Sequence, residues 1–337
     1  MPAKTVNVAV AGLGFMGVTH LRAYQQIGNA RIVAVCNAGR LPVNGVLHAV
    51  NGNIAHTADV HLGKDVKVYR EFDALIADRE VELVDICTPT VPHSAHAIAA
   101  LKAGKHTLCE KPLAQNVFEA RQVLKTAAIS EKFLMPAMCM RFWPGWAWLK
   151  EIVAQKMYGE VQAANFRRVT AKPAWGKAGA HAGGALLDLH IHDTDFVNYL
   201  FGRPASVFST GMIDAEGTVN HVVTQYFYPG GPVVHAEGSW LLPAGFNMSF
   251  TLHCERATID FDLSRGRKAL RLQESGKESC TVKLKKTDGY NEEIRYFVNC
   301  IARGIKPSVV TGQDGLTALE ICAAEEKSVR TGMAVKL

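Results

Sequence analysis

Asp188, His192 and Asp195, in the run Asp188-Leu189-His190-Ile191-His192-Asp193-Thr194-Asp195, stand at i, i+4 and i+7. A helix puts all three on one face. A carboxylate one turn from an imidazole orients the ring and raises its basicity, which a general base for an alcohol proton requires. The same spacing fits a histidine that only caps or packs. His190 points to another face, and no cysteine or further histidine stands at ligand spacing, so no metal site is expected. The second group is Cys109-Glu110-Lys111-Pro112, which follows the short strand Thr107-Leu108-Cys109. A lysine at the mouth of such a strand holds positive charge where an alkoxide develops. A strand-end lysine before a proline stop is the plainer reading.

These groups need elements to aim them. Gly12-Leu13-Gly14-Phe15-Met16-Gly17 follows the apolar run Thr5 to Ala11 and opens a helical pattern through Leu21, Tyr24 and Ile27. In a dinucleotide site the first glycine allows the tight turn, the second lets backbone approach a pyrophosphate, and the third lets helix and sheet pack closely. The helix N-terminus, with Phe15 and Met16 in its first turn, then faces the phosphates. Surface turns also collect glycines, but the order strand, glycine turn, helix favours dinucleotide binding. A carboxylate for the adenosine ribose is expected roughly 20 residues after the last glycine. That position is Asn37, followed by Arg40. A neutral Asn removes repulsion toward a 2′-phosphate and Arg40 supplies charge for it, so NADP is expected ahead of NAD. An Asn37 that simply bonds the ribose, with Arg40 solvated, is the other reading.

The chain has 337 residues, 48% hydrophobic and 20% charged, with 37 Lys plus Arg against 31 Asp plus Glu. The length calls for two packed domains. The +6 charge is mild for this length and argues against a nucleic-acid surface. No apolar run approaches the roughly 18 residues of a membrane span. The eight scattered cysteines form no C-x-x-C and read as buried thiols of a reducing compartment, and no export signal is visible, so a soluble cytoplasmic protein is expected. Strands alternate with helices to about residue 138, which implies a doubly wound parallel sheet. Helices at Trp146 to Gln155 and Leu186 to Leu200 follow. The strand-rich stretch Ala205 to Leu284 alternates apolar and polar residues and predicts an open, mostly antiparallel sheet. The expected domains are 1–138, 139–312, and a tail at 313–337 packing back toward the first. The connection from Asn37 to Val66 is broken by Pro42, Asn44-Gly45 and Asn51-Gly52-Asn53 and has no assigned role.

Four motifs in order carry a resemblance: Val10-Ala11-Gly12-x-Gly14-x-x-Gly17; Thr88-Pro89-x-x-x-His93; Ala103-Gly104-Lys105-His106-x-x-Cys109-Glu110-Lys111-Pro112; and Gly183-Gly184-x-Leu186-x-Asp188-x-x-x-His192-Asp193-x-Asp195. Together they resemble the glucose-fructose oxidoreductase, inositol dehydrogenase and rhizopine-catabolism (Gfo/Idh/MocA) family through nearly the whole chain. The resemblance implies a Rossmann domain holding NAD or NADP, and an α/β domain whose open sheet joins copies into a homodimer or homotetramer. It implies hydride transfer between nicotinamide C4 and a secondary alcohol or ketone of a sugar, sugar derivative or cyclitol. Lys111, Asp188 and His192 match the family's catalytic positions. Thr88, Pro89 and His93 match the loop beside the cofactor, and Glu110 the glutamate near the nicotinamide ribose. Asn37 departs from the frequent acidic residue, and His190 stands where many members have glycine. Substrate contacts are expected from Arg141, Trp143, Arg168, Lys172, Trp175, His190 and Asp195, because aromatic faces with scattered cations suit a polyhydroxylated or anionic ring. The tryptophans equally fit interface core. NADPH-dependent reduction of a keto-sugar or related carbonyl is the runner-up. A nicotinamide-dependent glycoside hydrolase and a catalytically silent sugar sensor are further readings, and retention of Lys111, Asp188 and His192 argues against the sensor.

Overall fold

The computed structural model describes residues 4–50, 58–173 and 183–337. In chain order the elements are β1 (Val6–Ala11), α1 (Phe15–Gln25), β2 (Ala30–Cys36), β3 (Val46–Leu47), β4 (Val60–His61), β5 (Lys67–Tyr69), α2 (Phe72–Ala77), β6 (Leu83–Ile86), α3 (His93–Lys102), β7 (His106–Glu110), α4 (Val117–Ile129) and β8 (Leu134–Ala137). They continue with α5 (Pro144–Ala154), β9 (Val161–Ala171), a π-helical turn (Leu186–His190), α6 (Ile191–Phe201), β10 (Ser206–Ile213), β11 (Val219–Phe227), β12 (Val233–Cys254), β13 (Ala257–Asp262), β14 (Leu270–Glu274), β15 (Cys280–Thr281), α7 (Gly289–Arg303), α8 (Gly312–Thr331) and β16 (Val335–Lys336). Among the described residues, no helix is long and apolar enough to cross a membrane.

The chain groups into two compact units, Met1–Cys139 with Asp288–Leu316, and Met140–Thr287 with Thr317–Leu337. In the first, six parallel strands lie in the order β5-β2-β1-β6-β7-β8. The β-branched and apolar runs that the sequence offers are buried on both faces: Val6, Val8, Val10, Leu83, Val84, Ile86 and Leu108 are sealed in this core, as helices covering both sides of a parallel sheet require. The strand order reverses between β1 and β6, the switch point where such sheets bind ligands. The irregular connection after Asn37 contains a small antiparallel pair, β3 with β4.

Helix α7 is placed by the sequence reading with the second domain, yet it groups with the first unit. Its apolar stripe, Ile294, Phe297, Val298 and Ile301, is buried, and Asn29 donates to Asn299 across a separation of 270 residues. The tail from Thr317 groups instead with the second unit, where β16 pairs with β10.

The second unit is built on a sheet in which β12 is the organising strand. Val233 to Ser239 pair with Ala163 to Val169 in rising register, and Phe246 to His253 pair with Thr170 to Ala163 in falling register. Strand β9 therefore lies between two arms of β12, which bend at Leu242 to Gly245. The remaining pairings, β10 with β11, β11 with β12, β12 with β13 and β13 with β14, are antiparallel. The helix expected over Leu186 to Leu200 is not uniform. Residues Leu186–His190 form a π turn and only Ile191–Phe201 is α-helical, so the wider turn shifts Asp195 from the straight i, i+4, i+7 face drawn from the sequence, while Asp188 and His192 stay within one turn of each other.

Candidate active site

In the first unit the glycines act as their spacing predicts. Gly12 has φ +94°, and a Cβ there would sit 2.4 Å from the Cys87 carbonyl oxygen. A Cβ on Gly17 would sit 1.8 Å from the Gly12 oxygen, so the helix meets the turn at a distance only glycine permits. Around Gly14 a Cβ would meet nothing within 4 Å. Helix α1 has no side-chain cap and no acidic residue in its first turn. The positive dipole end of α1 therefore carries no opposing carboxylate of its own, which fits a pyrophosphate. Phe15 and Met16 are half-buried on that turn.

Asn37 is half-buried at the end of β2. Its Oδ1 accepts from the Leu13 N–H at 3.4 Å and its Nδ2 donates to the Arg40 carbonyl at 2.8 Å, so it ties the glycine loop to the turn at 37–40. Arg40 is exposed and its guanidinium donates to the His48 carbonyl. A second cation, missed from sequence, stands beside it: Arg70 donates to the Ala38 carbonyl at 3.2 Å. Strand β5 brings Arg70 there by pairing Tyr69 with Cys36.

At the switch point Thr88 is half-buried and Pro89 exposed. Thr88 Oγ1 is buried with no hydrogen-bond partner among the described residues, as a hydroxyl reserved for a ligand would be. His93, expected beside the cofactor, is 1% exposed. Its Nδ1 and Nε2 lie 2.7 Å from the Pro112 carbonyl oxygen and 2.8 Å from that of Thr88, so its ring clasps the two loops together. Burial lowers its pKa from the ordinary histidine value. Glu110 is buried, and its Oε2 accepts the Lys111 N–H at 3.0 Å. Burial alone would raise the Glu110 pKa, but His20 and the Lys111 ammonium outweigh it and hold the carboxyl below its usual value. Lys111 is half-buried and precedes a cis peptide bond to Pro112.

In the second unit the charged residues around the π turn sort by exposure. Asp188 and His192 are half-buried. The others turn inward. Arg141 Nε and Nη2 donate to Asp195 at 2.9 Å and 2.6 Å. Arg168 Nε and Nη2 donate to Asp193 at 2.9 Å and 3.0 Å. Both forks are buried and fasten α6; Arg141, Arg168 and Asp195 are the residues expected at the substrate. His190 is fully buried, with Nε2 3.3 Å from both Glu325 Oε1 and the Tyr226 hydroxyl. A Cβ on Gly238 would lie 2.5 Å from the His190 Cβ. His190 thus packs on β12 and α8. Lys172 is half-buried and pairs with Asp214 at 3.3 Å. Trp143 is half-buried just before α5, and Trp146 is core, edge-on to Phe250 and Phe261. Trp175 lies outside the described residues.

Two family models match the chain. One, described as an oxidoreductase family with an NAD-binding Rossmann fold, matches residues 6–138, and the GFO/IDH/MocA C-terminal domain matches residues 146–260. The chain belongs to the GFO/IDH/MocA oxidoreductase family. Myo-inositol 2-dehydrogenase of Thermotoga maritima is 26% identical over 343 residues, 98% of this chain and 98% of that protein. Trans-1,2-dihydrobenzene-1,2-diol dehydrogenase of Sus scrofa is 34% identical over 169 residues, 49% of this chain and 50% of that protein. Levoglucosan dehydrogenase in complex with NADH and L-sorbose has a TM-score of 0.82 at 21% identity, covering 99% of both chains. Aldose-aldose oxidoreductase from Caulobacter crescentus, complexed with glycerol, has the same TM-score of 0.82 at 20% identity, covering 99% of this chain and 100% of that one. At that identity these two structures speak for the fold.

Membership in the GFO/IDH/MocA family makes this chain an oxidoreductase and its first unit an NAD-binding Rossmann fold. It also gives context to a buried cluster the sequence reading missed, in which His20, Asp85, Glu110 and Glu293 come together behind the glycine turn. One signal was available: Asp85 is a lone charge inside the apolar run Val81 to Cys87, and a charge in a buried strand demands a partner.

Proposed function

We propose that this chain is an NAD(P)-dependent dehydrogenase or reductase that interconverts a secondary alcohol and a ketone on a sugar, sugar derivative or cyclitol. The observation that carries this reading is the sorting of charges on the 186–201 helix. Asp193 and Asp195 are consumed by buried arginine forks, whereas Asp188 and His192 keep exposed surface. The myo-inositol 2-dehydrogenase of Thermotoga maritima, matched end to end, supports a polyhydroxylated ring as substrate.

A bound nicotinamide supplies hydride exchange at C4 with the carbinol carbon. The glycine turn with Phe15 and Met16, Thr88, Pro89 and the backbone at 37–40 would hold the dinucleotide. His192 takes the hydroxyl proton in oxidation and returns it in reduction. Asp188 orients His192 and binds a neighbouring hydroxyl. The Lys111 ammonium stabilises negative charge on the reacting oxygen, and Glu110 fixes the Lys111 backbone. The direct test mixes the purified protein with sugars, cyclitols and sugar acids, or their ketones, and follows reduced nicotinamide with NAD and NADP side by side. Silence in both directions with both dinucleotides rejects the reading.

Asn37, Arg40 and Arg70 support NADP, because two guanidinium groups border the 37–40 turn and Asn37 itself is neutral. Asn37→Asp restores a negative charge there. It is expected to move the ratio of kcat/KM values for NADP and NAD by about tenfold or more toward NAD. An unchanged ratio removes the support for NADP.

A homodimer or homotetramer belongs to the same reading. One face of the second unit's sheet leaves Phe208, Met212, Phe227 and Leu241 each at least 41% exposed, and such patches mark association surfaces. Light scattering is expected to give a mass of two or four chains of 36.7 kDa, and a monomer mass refutes it. All eight cysteines are free thiols, which supports a reducing, cytoplasmic location.

A further inference from the structure

We propose that His20 is a positioning residue that couples the dinucleotide-binding helix to the strand end carrying Lys111, through a buried chain Asp85–His20–Glu110. The inference rests on the role proposed for Lys111. His20 lies on α1 less than a turn beyond Gly17 and is fully buried. Its Nδ1 is hydrogen-bonded to Asp85 Oδ2 on β6 at 2.8 Å, and its Nε2 stands at ion-pair distance, 3.3 Å, from Glu110 Oε1 at the end of β7 without hydrogen-bond geometry. The other Glu110 oxygen accepts the Lys111 N–H. Each member belongs to a segment that the site needs. Helix α1 starts at the glycine turn, β6 runs into Thr88 and Pro89, and β7 runs into Lys111 and Pro112.

The charges agree with the geometry. As the cation, the imidazole donates its Nδ1–H to Asp85 and attracts the Glu110 carboxylate across the longer approach. Burial would lower the His20 pKa, but the charge of Asp85, aided by Cys87, outweighs it and raises the ring well above the ordinary value. The groups facing the ring are Tyr24 on its own helix, Asp85 and Cys87 from β6, Glu110 from β7, and Tyr290 and Glu293 from α7. Burial raises the Glu293 carboxyl well above its usual value, and neither of its oxygens has a hydrogen-bond partner among the described residues. His20 Nδ1, an Asp85 oxygen and Cys87 Sγ lie within 4.8 Å of one another, which raises the question of a metal. Two ligand atoms of one tetrahedral zinc stand about 3.4 Å apart. The 2.8 Å approach of His20 to Asp85 is a hydrogen-bond length, so the pair shares a proton rather than an ion.

The test is hydrogen exchange by mass spectrometry on the full chain, with and without dinucleotide, for the wild type and His20→Gln. In the wild type, dinucleotide is expected to slow exchange in peptides covering both 13–22 and 106–114. In His20→Gln it still protects 13–22, protection of 106–114 is lost, basal exchange there rises about tenfold, and kcat falls while the dinucleotide Kd holds. Equal protection of 106–114 in the variant overturns the proposal. If peptides of the distant β9 also exchange faster, the variant is misfolded and Asp85→Asn, which keeps the side-chain shape, decides by the same criterion. A wild type that turns over no polyol defeats the proposed function, yet leaves this exchange comparison intact.

Discussion

Replacing His192 with alanine is expected to lower kcat by about 10²–10⁴-fold, the range that a positioned acid–base group contributes, while dinucleotide affinity stays at the wild-type value. The separation of the two effects follows from the architecture. The glycine turn opens α1 and His192 lies on α6, so truncating the imidazole removes none of the groups proposed to hold the dinucleotide. Lys111→Ala is expected to cost a comparable factor for a different reason, the loss of a fixed positive charge at the developing alkoxide. Stopped-flow or steady-state assays on the preferred polyol, paired with fluorescence titration of the reduced dinucleotide, read both quantities. Wild-type turnover in either variant removes that residue from the mechanism.

What the sequence disclosed and what it hid divide along a physical line. The glycine turn, the Glu110-Lys111-Pro112 strand end and the alternation of strands and helices are local. Their meaning depends on neighbours within a few residues, and the structure places them as expected. The protein partners of Arg141, Arg168, Asp195 and His190 are invisible in the sequence, because a charge near a site looks the same whether it meets a ligand or a distant side chain. Their partners are far along the chain: Asp195 is 54 residues from Arg141, Asp193 is 25 from Arg168, and Glu325 is 135 from His190. The π turn escaped for a related reason, since one wide turn leaves the apolar pattern of a helix almost intact. Arg70 came to the 37–40 turn only through the pairing of β5 with β2.

Those hidden pairings set the second unit's stability. Arg168→Met is expected to destabilise it by about 3–5 kcal/mol, because it leaves the buried Asp193 carboxylate without its cation. Asp193 is fully buried and both its oxygens accept from the one guanidinium, so no water can take over the lost bonds. Arg168 also places Nη1 3.2 Å from the Met248 sulfur and its fork 5.9 Å from the Trp146 ring centroid, which the methionine stem only partly replaces. For a unit of this size the loss lowers the midpoint of its thermal transition by roughly 10 °C. Adding Asp193→Leu should recover most of that loss, since two apolar side chains carry no desolvation penalty and a buried ion pair is often worth no more than its apolar replacement. Calorimetry on the two single variants and the double variant separates the contributions. If Arg168→Met melts with the wild type, the fork carries no stability and its function must be sought elsewhere. If the double variant recovers the midpoint while kcat stays low, the fork's remaining task is to hold α6, and with it His192, in register.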